Sequence, residues 1–380
     1  MNQTLPKTNR IDVIDALRGF AIVAILLLHN IEHFDFYFAP EHLPEWMRQV
    51  DRIIWDSLFF LFGGKAYSIF AILFGFTFYL QFTKQKERGG DFSGRFAWRL
   101  LLLFGFGLIN TAFYVGDILL IYSIIGLVLI PVRNMQSKHL ILVIIFLLSQ
   151  PIEWINLILT WQNISVTPMH ELFNPYFQAL YETMKDSSFI NMSIGNFQGK
   201  PGHLIWYYSA GRVTQTAGLF MIGLLLGREK RFYTNSENTR FWKKTLLISL
   251  PLFILLHFID YGSVKTVTQL WSNLAFTSIL VSSFILLYQK GVGIGMRFFV
   301  PLGRMSLSSY IMQSFFGSFV YYGYGLALYQ YTGASLCVLI GLMILMIQWA
   351  FCKWWLGKYK QGPFEIIWHR LTWIKAFRTE

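Results

Sequence analysis

Residues 14–30 read IDALRGFAIVAILLLHN. From Phe20 to Leu28 nothing polar interrupts the run. With its flanks, the segment has the roughly 20 residues that a helix needs to cross a bilayer core. Yet Asp15 and Arg18 stand at one end and His29 at the other. Spacing shows why one helix would carry all three. Arg18 and His29 are eleven positions apart. That is about 20° past three full turns, so both lie on one face, about 16 Å apart along the axis. Asp15 precedes Arg18 by three residues and shares that face, where it can pair with the guanidinium. Each such charge costs about 2.5–3.5 kcal/mol at the centre of a spanning helix. The stripe is therefore expected to face a polar interior.

Arginine's planar fork suits phosphate, and histidine is the base that works near neutral pH. A phosphate-bearing donor held at Arg18 would need an arm of about 16 Å to reach His29. The phosphopantetheine arm of coenzyme A has about that reach, which points to acyl transfer across a membrane. The other reading is a structural Asp15–Arg18 pair at the interface, with His29 snorkelling to the headgroups.

Working outward, the 380 residues are 54% hydrophobic and only 14% charged, too apolar for a soluble chain of this length. The apolar runs are too long and continuous for barrel strands. The expected class is an all-α polytopic membrane protein. About ten transmembrane helices are expected near 11–31, 66–83, 96–115, 117–132, 139–161, 205–227, 242–260, 267–289, 299–322 and 334–352. Residues 53–62 form a short apolar stretch of re-entrant or interfacial type. With both termini cytoplasmic, 23 of the 32 basic residues fall on inner segments and five on outer ones. The net charge of +12 is thus read as membrane orientation, with no nucleic-acid partner. One domain is expected over 1–380. It comprises a cytoplasmic N-terminus (1–10), a helix bundle (11–352) and an interfacial tail (353–380). A polar outer segment, 162–204, is placed to cover an outward-facing cavity. The tail interleaves bulky aromatics with Lys and Arg and reads as an anchor. Cys337 and Cys352 read as apolar fillers. The aromatic surface fits a homodimer or lipid contact equally well.

IDALRGFAIVAILLLHN resembles the first helix of transmembrane acyltransferases, which include bacterial sugar O-acetylases and heparan glucosaminide N-acetyltransferase. Arg18 and His29 match the spacing of the O-acetylases. The rest of the chain resembles the YeiB-like family of the same superfamily. The matching stretches are FGGKAYSIFAILFG (62–75), RLLLLFGFGLIN (99–110), GDILLIYSIIGLVLIPV (116–132), GRMSLSSYIMQSFFGSFVYYGYGLALY (303–329) and QGPFEIIWHRLTW (361–373). YeiB-like members usually carry Asn at the position of His29, so here the chain stands nearer the O-acetylases. The second histidine of the heparan enzyme falls on Pro40. His33 and His42 are off register. The resemblance implies a bacterial plasma-membrane enzyme. It would use acetyl-CoA or another acyl-CoA as donor and an extracytoplasmic carbohydrate as acceptor. His29 would serve as general base or transient acyl carrier, with Asp15 orienting Arg18.

Depth sorts the other candidates. Arg99 and Arg304, with Arg18, form a basic cup for coenzyme A phosphates, or else serve as positive-inside anchors. Gln313 is either a thioester contact or interhelical glue. Toward the outside stand Asn110, Asp117, Arg212 and Lys65 as acceptor-binding groups, and Glu153 as a catalytic group that orients the acceptor or an imidazole. Asp117 also fits a helix N-cap, and Glu153 and Arg212 fit a mutual pair. Lys65 follows a glycine pair where backbone can bend into a cavity. His29 and His33 have the four-residue spacing of zinc ligands but no third ligand nearby, so no metal is expected. The same basic stripe would also serve a transporter or channel for a small anion.

Overall fold

The computed structural model describes residues 11–34, 40, 43–162, 169–259, 265–290 and 293–374. His42 lies outside them. Among the described residues there are helices and no strand. In chain order they are α1 (Asp12–Ile31), α2 (Glu45–Phe62), α3 (Ala66–Lys86), α4 (Ser93–Thr111), α5 (Leu119–Ile125) and α6 (Leu129–Val132). Next come α7 (Ser137–Leu148), α8 (Pro151–Trp161), α9 (Met169–Met184), α10 (Phe189–Ser209), α11 (Arg212–Arg228) and α12 (Ser236–Phe258). The last are α13 (Lys265–Gln289), α14 (Gly293–Met296), α15 (Val300–Arg304), α16 (Ser306–Tyr321), α17 (Ala334–Lys358) and α18 (Pro363–Thr372).

Six helical stretches among the described residues are long and apolar enough to cross a membrane. They are Asp12–Ile31, Glu45–Lys86, Ser137–Leu159, Ser236–Phe258, Val267–Gln289 and Ala334–Lys358. Large apolar side chains point outward from them, such as Leu247, Ile248 and Phe258 on α12 and Met343 and Ile347 on α17. Water would not tolerate so broad an apolar exterior, whereas lipid favours it. The chain is an integral membrane protein. Of the other expected spans, 96–115 falls on the unbroken 19-residue α4 (Ser93–Thr111), and the rest are shorter or broken. Within 117–132 the apolar helical stretch is only Leu119–Val132. Residues 205–227 break at Gly211, whose φ of +65° suits a residue without a Cβ. Residues 299–322 break at Met305, between α15 and α16. The apolar stretch 53–62 belongs to a longer helix, α2, that turns at 63–65 into α3.

At the centre stands α1, packed against α15, α17, α3 and α16. Two glycines bring α1 and α15 into backbone contact. A Cβ on Gly19 would run into the Phe299 carbonyl, and one on Gly303 into the Asp15 carbonyl. Small residues permit such an approach between apolar helices, and here Arg18 and Arg304, each next to one of these glycines, line one cavity. Gly75 and Gly223 join α3 to α11 in the same way.

Two regions differ from expectation. Much of 162–204 is helical: α9 and α10 pack along each other, and α10 covers a cavity at the His29 end of α1. The tail is more than an anchor. Its helix α18 folds back onto α4 and α16. Trp98 Nε1 donates to the Leu371 carbonyl at 2.9 Å, and Trp368 Nε1 to the Arg99 carbonyl at 3.1 Å. Half-buried Glu365 accepts from the Leu307 N–H at 2.7 Å and from the Ser308 N–H at 3.2 Å. These bonds satisfy N–H groups at the start of α16 that have no partner within the helix.

Candidate functional site

Two cavities lie at the two ends of α1. The first, about 290 Å³, is lined by Arg18, Arg99 and Arg304, with Thr77, Glu365 and His369 among its other walls. Arg18 donates to Asp15 Oδ1 at 3.3 Å and to Thr77 Oγ1 at 3.0 Å. The expected Asp15–Arg18 pair therefore forms, and it turns the guanidinium toward α3. Arg99 lies 4.2 Å over the Trp368 ring and donates to Thr372 Oγ1 at 3.3 Å. Arg304 donates to the Lys360 carbonyl at 3.4 Å. Three guanidiniums from α1, α4 and α15 thus converge on one space, with the tail helix as a further wall. Outside the spans, burial and the nearby Arg99 charge push His369 below its ordinary value. Burial raises Glu365 despite its hydrogen bonds with Ser308 and Leu307.

The second cavity, about 200 Å³, holds His29, Glu32, His203 and Arg212. The His29 ring sits 4.7 Å from that of Tyr114 and 5.6 Å from that of Phe34. Among the described residues its nitrogens have no hydrogen-bond partner. One turn on, just past the end of α1, burial lifts the Glu32 carboxyl to about 7, opposed by the Arg212 charge. The break at Gly211 starts α11 at Arg212, whose guanidinium lies 4.6 Å over Trp206 and 5.0 Å over Tyr67. The other residue stacked on Trp206 is His203, with ring centroids 5.7 Å apart. An imidazole, a carboxyl held near neutrality, a guanidinium and an indole platform therefore share one space. That set can accept a proton and orient a hydroxylated or charged small molecule.

Other expected site residues stand apart from both cavities. Gln313 is buried glue, donating to the Ile22 carbonyl at 3.3 Å and to Gln348 Oε1 at 3.1 Å. Asn110 donates to Asp117 Oδ1 at 2.8 Å, and Asp117 Oδ2 accepts from the Leu120 N–H at 3.0 Å. Asp117 thus caps α5, and the pair turns inward because both are fully buried. The expected Glu153–Arg212 pair does not form. Arg212 turns to the Trp206 and Tyr67 rings, while Glu153 Oε1 is buried without a hydrogen-bond partner. Lys65 points at Phe60 and Phe276, its Nζ 5.9 Å and 5.5 Å from their centroids, although Gly64 and Ala66 beside it line the His29 cavity. His33 turns away from His29 to bond Thr332 at 2.9 Å. Among the described residues no group of His, Cys, Asp and Glu is arranged to hold a metal.

Sequence reasoning passed over Glu32, His203 and Trp206. Glu32 was readable, because it is three residues past His29 and shares its face. The other two lie in or next to a segment that read as an outer loop.

The fold and its paired cavities define an all-helical integral membrane protein with a candidate site at each end of one buried helix. Comparison with known proteins agrees with the YeiB-like resemblance. Residues 226–375 match the family described as "Protein of unknown function (DUF418)". The uncharacterized protein YxaH of Bacillus subtilis (strain 168) is 27% identical, covering 96% of this chain and 94% of its own. The uncharacterized protein YeiB of Escherichia coli (strain K12) is also 27% identical, over 94% of this chain and 95% of its own. An uncharacterized 39.9 kDa protein in the amylase 3′ region of Bacillus acidopullulyticus is 32% identical over 34% of this chain and 36% of its own. No solved structure matches the chain.

Proposed function

We propose that the chain is a membrane-embedded acyltransferase of the transmembrane acyltransferase superfamily, moving an acyl group such as acetyl from acyl-CoA to a carbohydrate or related acceptor. One observation carries this reading: Arg18 and His29 line separate cavities at opposite ends of the same buried helix. In this proposal ten spans cross the bacterial plasma membrane with both termini in the cytoplasm. The Arg18 cavity then faces the cytosol and receives the phosphates of the donor, held by Arg18, Arg99 and Arg304. The acceptor enters the His29 cavity from the opposite side, against Trp206 and Arg212. His29 takes the proton of an acceptor hydroxyl as its oxygen bonds to the thioester carbonyl carbon. The C–S bond then breaks, and the departing coenzyme A thiolate takes up a proton. Asp15 and Thr77 fix the direction of the Arg18 fork.

The test is acetyl-CoA turnover by purified protein in lipid. His29→Ala should abolish turnover with donor binding largely kept, and Arg18→Ala should weaken donor binding. Turnover unchanged by both substitutions would sink the proposal. A second reading is favoured by the same pair of cavities facing opposite ends of the bundle: a transporter for a small anionic metabolite. Flux of such an anion into liposomes, without thioester cleavage, selects it. Neither flux nor cleavage points to a non-catalytic membrane protein.

A further inference from the structure

Among the described residues, Tyr310 alone lines both cavities. It sits one turn into α16, just past the break at Met305, and is 3% exposed. Its hydroxyl accepts the Ile118 N–H at 3.2 Å. Ile118 lines the His29 cavity, and the next residue, Leu119, lines the Arg18 cavity. The tyrosine is therefore pinned to the point where the chain passes from one space to the other. A second phenol reinforces the wall. Tyr122, on the Arg18 side, donates to the carbonyl of Tyr67, on the His29 side, at 2.9 Å.

We propose that the Tyr310 side chain is the partition between the two cavities and decides what passes from one to the other. The inference rests on the acyl-transfer reading only in naming the passenger, the thin acyl-bearing arm of a thioester donor. A single ring hinged at Cβ can turn aside to admit an unbranched chain. With its hydroxyl on the Ile118 N–H, it closes the route to water and hydrated ions. Tyr310 is then a specificity-determining residue: it touches whatever crosses, yet supplies neither the phosphate-binding charge nor the base.

Access can be measured without any donor. In His29→Cys protein, a charged, membrane-impermeant methanethiosulfonate reagent is applied separately to each face of oriented vesicles. The parent chain, whose Cys337 and Cys352 are buried, supplies the background. The introduced thiol should react from its own side and hardly at all from the Arg18 side. Adding Tyr310→Phe, which removes the hydroxyl that holds the Ile118 N–H, should raise the rate from the Arg18 side about two- to tenfold. Adding Tyr310→Ala should raise it by more than about tenfold, because no ring is left to exclude the reagent. Labelling from the His29 side is the control for folding and should stay within about twofold in both variants. Unchanged access from the Arg18 side in both variants, with the control intact, overturns the partition. If Tyr310→Ala loses the control signal, Tyr310→Phe decides alone. Opening in these variants, with no acetyl-CoA turnover by the parent chain that keeps His29, would uphold the partition while removing the acyl-transfer reading.

Discussion

The two ends of α1 hold their polar groups in different ways. At the Arg18 end each guanidinium already has a partner within the protein, in Asp15 and Thr77, in Thr372, or in the Lys360 carbonyl. At the His29 end the imidazole has none among the described residues, and the Glu32 carboxyl is lifted toward neutrality. A guanidinium fixed by neighbours keeps its charge and direction, which suits holding a phosphate. A base without a partner can accept a proton from whatever enters. On the proposed function, binding would belong to one end and proton chemistry to the other.

The sharpest way to break that contrast is at His29. His29→Ala should lower turnover by about 10²–10⁴-fold, the usual range for a positioned base, with the donor dissociation constant nearly unchanged. Equal losses in turnover and donor affinity would place His29 in the binding site and erase the division. Next in size, Arg18→Ala should weaken donor binding by about ten- to hundredfold, the worth of one or two charge-assisted hydrogen bonds. Titration calorimetry with acetyl-CoA reads this directly, and undiminished affinity would take Arg18 out of the binding role. Gly19→Val should cost about 1–3 kcal/mol through overpacking against the α15 backbone. Thermal unfolding in detergent measures it, and an unchanged midpoint would show that α1 and α15 are not in backbone contact.

The smallest effect is the pH response of Glu32. Its carboxyl is raised to about 7 in the folded state, from an ordinary 4.5. The folded protein therefore holds that proton more tightly than the unfolded chain. The resulting stabilisation is fully present below the unfolded value and is lost as pH rises through about 7. The wild-type unfolding midpoint should fall between about pH 5 and 8 more steeply than that of Glu32→Gln. Identical slopes in the two proteins would mean that Glu32 does not titrate there.

The leading helix was legible because its evidence is local. Eleven residues of spacing place Arg18 and His29 on one face, and both line cavities. Asp15–Arg18 pairing followed from three-residue spacing alone. The Gly211 and Met305 breaks were not read, although each sits among polar residues, Ser209 and Arg212 or Arg304 and Ser306, because the flanking apolar stretches joined across them have the length of one span. Gln313 and Asp117 show a different limit. A buried polar residue must bond something, but only tertiary packing decides whether the partner is protein or ligand. Here Gln348 and Asn110 supply the answer. The tail misled for a physical reason. Alternating Trp, Lys and Arg satisfies a membrane interface, and the same indole N–H groups equally satisfy carbonyls such as those of Arg99 and Gln361.

Because Gly19 and Gly303 leave no gap between two main chains, α1 and the five-residue helix Val300–Arg304 must travel as one rigid strut. Neither can slide or turn past the other without a collision. Any breathing of the wall between the compartments has to come from beyond that strut. Gln313 ties α16 to the Ile22 carbonyl of the same strut, so the moving part is the Tyr310 ring itself, turning about its own Cβ.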